Sequence, residues 1–209
     1  VNLPLCRFDI TKLPEQLLNE CVWSTDRNVP TKWGLSDDMA KSYCEQLMAR
    51  CRTLVHSEEL ACLFQVQGKS LTVVLDEFLN SKEQDILRVS FRNVRFEHNT
   101  REILMNVIGR FLLSLARKKR FQSAPLVAFL DEAHQFLGRT IGDEFASVKL
   151  DAFGLIAKEG RKYGLTCVLA TQRPRDIPED VLSQLGTFIV HRLTNDADRS
   201  TVERACGDL

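Results

Sequence analysis

The sequence predicts an α/β protein: a mainly parallel sheet flanked by helices, preceded by a helical subdomain. Three observations carry this. From about Leu71 onward, short apolar runs alternate with helical patterns, the arrangement of a parallel sheet covered by helices. Two of the runs, LVAFL at 126–130 and LTCVLA at 165–170, are apolar throughout, as strands buried on both faces are. Both runs also stop at polar residues, Asp131-Glu132 in the first and Thr171-Gln172-Arg173-Pro174 in the second, with Gln172 forty residues after Glu132.

Residues 1–70 read as a helical and irregular subdomain, broken early by Pro4, Pro14, Pro30 and Gly34. From Ser36 to about Leu54, Ala40, Tyr43, Cys44, Leu47, Cys51 and Leu54 recur at helical spacing behind the start signal Ser36-Asp37-Asp38. Trp23 and Trp33 read as core residues. Residues 71–209 form the α/β part. LTVVL at 71–75 and ILRVSF at 86–91 are short, β-branched and apolar, and predict strands. Asn99 and Glu102 have capping-box spacing. They open a helix with Ile103, Leu104, Val107, Ile108, Phe111, Leu112 and Leu115 on its buried side. Arg117-Lys118-Lys119-Arg120 reads as a solvated helix end that complements the helix dipole. The 126–130 strand follows, then a helix to about Tyr163 closed by Gly164, the strand reaching Thr171, a short helix near Pro178–Leu185, a strand FIVHRL at 188–193, and a helix from about Asp196.

Composition bounds the answer without supplying chemistry. The 209 residues allow one sizeable core with an appendage. The 28 Lys+Arg balance the 28 Asp+Glu, so no global basic field exists, and any nucleic-acid contact must come from local patches or a ring of subunits. Seven cysteines, an odd number without CxxC spacing, predict buried reduced thiols in a cytoplasmic protein rather than a zinc site. No apolar run approaches the ~18 residues of a membrane span, and no signal-peptide pattern is visible.

The chemistry is concentrated at the ends of the two apolar runs. Ligands meet parallel sheets at the C-terminal ends of the strands. There, one carboxylate can help hold Mg²⁺ and the next can orient or deprotonate an attacking water. A phosphate loop, GxxxxGK[ST], is absent. Gly68-Lys69-Ser70 is the nearest imitation, but Leu63 stands where the motif's first glycine belongs, and the triplet precedes a strand-like run. A second acid pair, Asp76-Glu77, ends the LTVVL run but lacks a partner strand at the right distance. The chain therefore reads as the later part of a longer ATPase or as a degenerate one, and its start at Val1 rather than Met favours the longer protein.

On the segments LVAFLDEAHQFL, LIAKEGRKYGLTCVLATQRPRDIPEDVLSQLGTFIVHRL and NDADRSTVERACG, the stretch from about Ile86 to Leu209 resembles the C-terminal part of the RecA-like P-loop NTPase core of the HerA–FtsK superfamily. It is more similar to HerA than to FtsK. DEAH-box helicases share residues 131–134 but lack further matches. The resemblance implies an ATP- and Mg²⁺-dependent motor. Asp131 would be the Walker B carboxylate, reaching Mg²⁺ through water. Glu132 would be the catalytic base, Gln172 the polar sensor, and Arg161 the arginine finger acting on a neighbouring subunit, with Lys162 a less favoured substitute. Arg192 and Arg199 fall where the family often carries arginine near an interface. His134 reads as a supporting residue. The implied partners are copies of the chain in a ring, by analogy a hexamer, duplex DNA, and a nuclease or other effector in DNA end processing or antiphage defence. The alternative is a non-hydrolysing ring scaffold that assembles an effector. Within Gly138–Ala146, read as a mobile loop, Arg139 is the candidate DNA contact, with Lys149 in the next turn.

Overall fold

The computed structural model describes residues 9–64, 68–81, 83–95, 99–138, 140–142 and 147–207. Its contacts divide the chain into two units, Val1–Val94 and Arg95–Leu209.

In the first unit, Pro14 occupies the first turn of α1 (Leu13–Glu20), where a missing N–H leaves no bond unmade. The Asp37 carboxylate accepts from the N–H groups of Met39 and Ala40 at 3.0 and 3.1 Å and starts α2 (Asp38–His56). The inner face of α2 is Met48 and Val55 with half-buried Ala40, Cys44 and Cys51. Tyr43, Leu47 and Leu54, expected on that face, are exposed. Trp23 and Trp33, expected in the core, are 58% and 73% exposed. They flank the backbone pairing of Trp23 with Leu35 and Gly34, which leaves both indoles on the outside.

After α3 (Ala61–Phe64) comes the clearest correction. LTVVL is not a strand but the start of α4 (Leu71–Asn80). Ser70 caps it by accepting from the Val73 N–H at 3.4 Å. Leu71, Val74, Leu75, Phe78 and Leu79 share its less exposed face, a helical spacing that outweighs the β-branched composition. Asp76-Glu77 therefore lies on a helix rather than at a strand end, and Glu77 pairs with Lys69 at 2.6 Å. Gly68-Lys69-Ser70 does open a helix, against expectation, but Leu63 before it lies in α3, not in a phosphate loop. Residues 86–91 form no strand.

The second unit runs α5 (Thr100–Arg117), β1 (Leu126–Leu130), β2 (Thr140–Gly142), β3 (Ser147–Lys149), α6 (Ala152–Glu159), β4 (Leu165–Leu169), α7 (Glu179–Leu182) and α8 (Asp196–Cys206). Asn99 has a left-handed backbone (φ 53°) and makes no side-chain cap bond, so the expected capping box does not form. The buried stripe of α5 includes Asn106, Ile108, Gly109, Leu112, Leu113 and Ala116, whereas Val107 is exposed. The stripe is turned by close contact with α6: a Cβ on Gly109 would lie 2.8 Å from the Ala152 Cβ. Asn106 Oδ1 accepts from the Ala152 N–H at 3.1 Å and so caps α6 from a neighbouring helix.

β1 and β4 pair in parallel, from Leu126 opposite Leu165 to Leu130 opposite Leu169. Leu130 and Leu165 are buried, while Val127, Phe129 and Val168 on the other face are 59%, 66% and 42% exposed. The sheet is thus smaller than expected and covered on one face. Residues 188–193 join no ladder, and Ile189 is exposed. With Phe129, Val168 and Leu169 they line a cavity of about 630 Å³. Part of the expected loop at 138–146 is instead β2, paired antiparallel with β3. The result is a helix-rich α/β chain with a small parallel sheet. No helix of the described residues is long and apolar enough to cross a membrane.

Candidate functional site

The parallel register brings the ends of β1 and β4 side by side. The ladder continues one step past the strands: Ala170 N–H donates to Leu130 C=O at 2.8 Å, and Ala133 N–H donates to Ala170 C=O at 2.9 Å. Asp131 and Glu132 are held between these two bonds, with Ala133 fully buried behind them. Glu132 sits at φ 51°, the left-handed region that residues with a Cβ seldom enter, and such strain gathers at functional sites. One Asp131 carboxylate oxygen accepts from the Glu132 N–H at 3.0 Å.

The side chains then converge. Gln172 Nε2 donates to Glu132 Oε1 at 3.1 Å. His134 Nδ1 lies 3.4 Å from Glu132 Oε2 and 3.0 Å from Thr171 Oγ1. Thr171 Oγ1 in turn accepts from the Arg173 N–H at 3.0 Å. Gln172 therefore holds one oxygen of the Glu132 carboxylate, and the other faces the nearly buried His134. Thr171 belongs to this network although sequence reading passed it over; its signal was its place between the apolar run and Gln172.

Neither Asp131 nor Glu132 pairs with a lysine or arginine among the described residues. Among those residues no group of three His, Cys, Asp or Glu forms a metal cage. One exposed carboxylate beside a second acid suits Mg²⁺, which keeps several waters and takes phosphate oxygens rather than a full protein shell. Asp131 is the residue that would hold it.

Arg161 is not part of this cluster. It lies in the 3₁₀ turn Gly160–Tyr163, before β4, whereas Gln172 lies beyond the other end of that strand. Five strand residues at ~3.3 Å each separate the two ends by about 16 Å. Arg161 is exposed and has no ion-pair partner among the described residues; the nearby Glu159 binds Arg117. The turn closes at Gly164 (φ 76°), where an added Cβ would lie 2.1 Å from Phe121 C=O. Gly164→Ala is expected to cost about 1–3 kcal/mol and lower the melting temperature accordingly, checked by calorimetry.

Residues 103–206 match the family model described as helicase HerA-like C-terminal. Over that stretch the chain belongs to the HerA-like family. It is 29% identical over 147 residues to the DNA double-strand break repair helicase HerA of Pyrococcus furiosus, covering 70% of this chain and 26% of that protein. It is 36% identical over 85 residues to a probable DNA double-strand break repair helicase HerA of Methanocaldococcus jannaschii, 41% of this chain and 16% of that one. A Saccharolobus solfataricus helicase of the same name is 28% identical over 114 residues, 51% and 21% of the two chains. The chain thus spans about a quarter or less of these relatives.

Asp131, Glu132, His134, Arg161, Thr171 and Gln172 all fall within the HerA-like stretch. Lys149 also does; it ends β3, is exposed, and with Lys158 helps hold the Asp180 carboxyl below the usual carboxylate range, the hydrogen bond from Lys158 being the larger cause. Arg139 lies outside the described residues. Arg192 is exposed along the cavity under 188–193, and Arg199 pairs with Asp196 on its own helix.

Proposed function

We propose that the full-length protein is an ATP-driven duplex-DNA translocase or helicase of HerA type, built on a RecA-like core and working as a ring. The observation that carries this is the Gln172–Glu132 hydrogen bond across the tips of two parallel strands. A scaffold that never hydrolyses nucleotide has no use for a strained glutamate held by an amide and set beside an imidazole. Mg²⁺-bound ATP would supply the transferable phosphoryl group and the cation that neutralises its charge.

The residues of this chain divide the work. Asp131 would hold Mg²⁺, through water. Glu132 takes the proton from the attacking water at a carboxylate oxygen. Gln172, with both a donor and an acceptor on its amide, orients Glu132 and that water. His134, braced by Thr171, fixes the other Glu132 oxygen. Arg161, at the other end of β4 from this cluster, acts on a neighbouring copy, where a guanidinium fork matches phosphate oxygens. Gln172→Ala in the full-length protein should lower kcat by about 10², the usual effect of losing one well-placed donor. A steady-state phosphate-release assay measures it, and an unchanged kcat would remove Gln172 from the mechanism.

The DNA contact belongs to the segment after the acids, with Arg139 and Lys149 meeting phosphates. One contact per subunit is multiplied in a ring, which answers the zero net charge. Duplex binding should be independent of sequence and weaken steeply with salt. Anisotropy titrations check this: Arg139→Glu with Lys149→Glu should lower affinity and flatten the salt slope, and an unchanged slope would place the contact elsewhere. Work alongside a nuclease or other effector, in end processing or antiphage defence, belongs to the same reading.

A further inference from the structure

We propose that Arg117 is a positioning residue for Arg161, acting through Glu159. The inference rests on the reading of Arg161 as a group that reaches a neighbouring copy. Such a group gets no help from its own side-chain contacts: Arg161 is exposed and unpaired among the described residues. Its aim depends on the backbone that carries it, and that backbone is a single turn, Gly160–Tyr163.

The end of α5 and the segment that leads from it into β1 hold this turn on both sides. Behind it, Gly164 packs against Phe121, and Leu126 N–H donates to Gly164 C=O at 2.9 Å. Ahead of it, the Arg117 guanidinium binds the Glu159 carboxylate. Glu159 immediately precedes Gly160, whose added Cβ would lie 2.5 Å from Leu165 C=O, so the turn is pressed onto the start of β4. The Glu159 hydrogen bond and charge, with Tyr163 nearby, raise the Arg117 guanidinium above its ordinary value.

A second ion pair joins the same two helices. Arg110 meets Asp151 at 2.8 Å at the start of α6, as Arg117 meets Glu159 at its end. If these pairs only tied α5 to α6, losing either would have the same effect. The pair next to Arg161 differs in what it adjoins. Both are partly exposed and contribute little to stability, so their loss should leave the fold intact.

The test uses the full-length protein and its DNA-stimulated ATPase. Arg117→Ala should lower kcat about tenfold, the scale of a small misplacement of a reacting group, with KM for ATP and melting temperature matching those of Arg110→Ala. Arg110→Ala should keep wild-type kcat. In an Arg161→Ala background, Arg117→Ala should cause no further loss. The swap Arg117→Glu with Glu159→Arg should recover much of the activity. Equal kcat for Arg117→Ala and Arg110→Ala would overturn the proposal, as would losses that multiply fully with Arg161→Ala. Should Arg117→Ala melt early, Arg117→Lys, which keeps the charge but loses the fork, replaces it; wild-type kcat there would also overturn the proposal. Wild-type kcat in Arg161→Ala would sink the reading of Arg161 and this inference with it. Loss in Arg161→Ala beside an indifferent Arg117→Ala would sink this inference alone.

Discussion

Glu132→Gln in the full-length protein is expected to lower ATP turnover by about 10²–10⁴ while leaving nucleotide binding nearly intact. Glutamine keeps the shape of the side chain and can still meet Gln172 and His134 through its amide, but it cannot accept a proton from water. The structural setting sharpens the expectation. Glu132 stands two residues past β1, in a strained backbone conformation, with one carboxylate oxygen on Gln172 and the other beside His134. Losing the base therefore changes the proton acceptor without freeing the loop. Turnover and equilibrium nucleotide binding, measured on the same preparation, separate the two effects. A kcat within about threefold of wild type would contradict the role of Glu132, because a change confined to the transition state must appear in kcat.

Arg161→Ala is expected to be comparably severe, since an arginine finger contributes about 10³–10⁵ in kcat. Its place at the far end of β4 from Gln172 means that one copy of the chain does not bring Arg161 to its own Glu132 cluster. Complementation follows. Arg161→Ala subunits mixed with Glu132→Gln subunits should recover activity, because some interfaces then pair an intact Glu132 with an intact Arg161. Activity across mixing ratios measures this, and the recovered fraction should peak at intermediate ratios. Flat, inactive mixtures would argue for a role within one subunit.

The pairing of β1 with β4, and so the meeting of their polar ends, was legible in the sequence because it depends on short-range rules. Two apolar runs ending in polar residues announced β1 and β4, and their parallel pairing set Asp131-Glu132 beside Thr171-Gln172. The bracing by His134 and Thr171 was not legible, because it joins residues 37 positions apart through side chains. Other segments were harder. LTVVL has the composition of a strand and the spacing of a helix, and a short apolar run does not distinguish them until the Ser70 cap is seen. FIVHRL has strand composition, yet a strand exists only where another edge accepts its backbone bonds, and no ladder forms there. On α5 only Val107 was misplaced, for a different reason. Gly109 and Asn106, neither of them apolar anchors, turn the buried face toward α6 through close approach and a cap.

The most direct test of the central claim is a cryo-EM map of the full-length protein with Mg²⁺, duplex DNA and a non-hydrolysable ATP analogue. Mg²⁺ is expected beside Asp131, the γ-phosphate facing Glu132 and Gln172, and Arg161 of an adjacent subunit directed at the same phosphate. Nucleotide bound away from the ends of β1 and β4, or Arg161 far from every phosphate in an assembled ring, would contradict that claim.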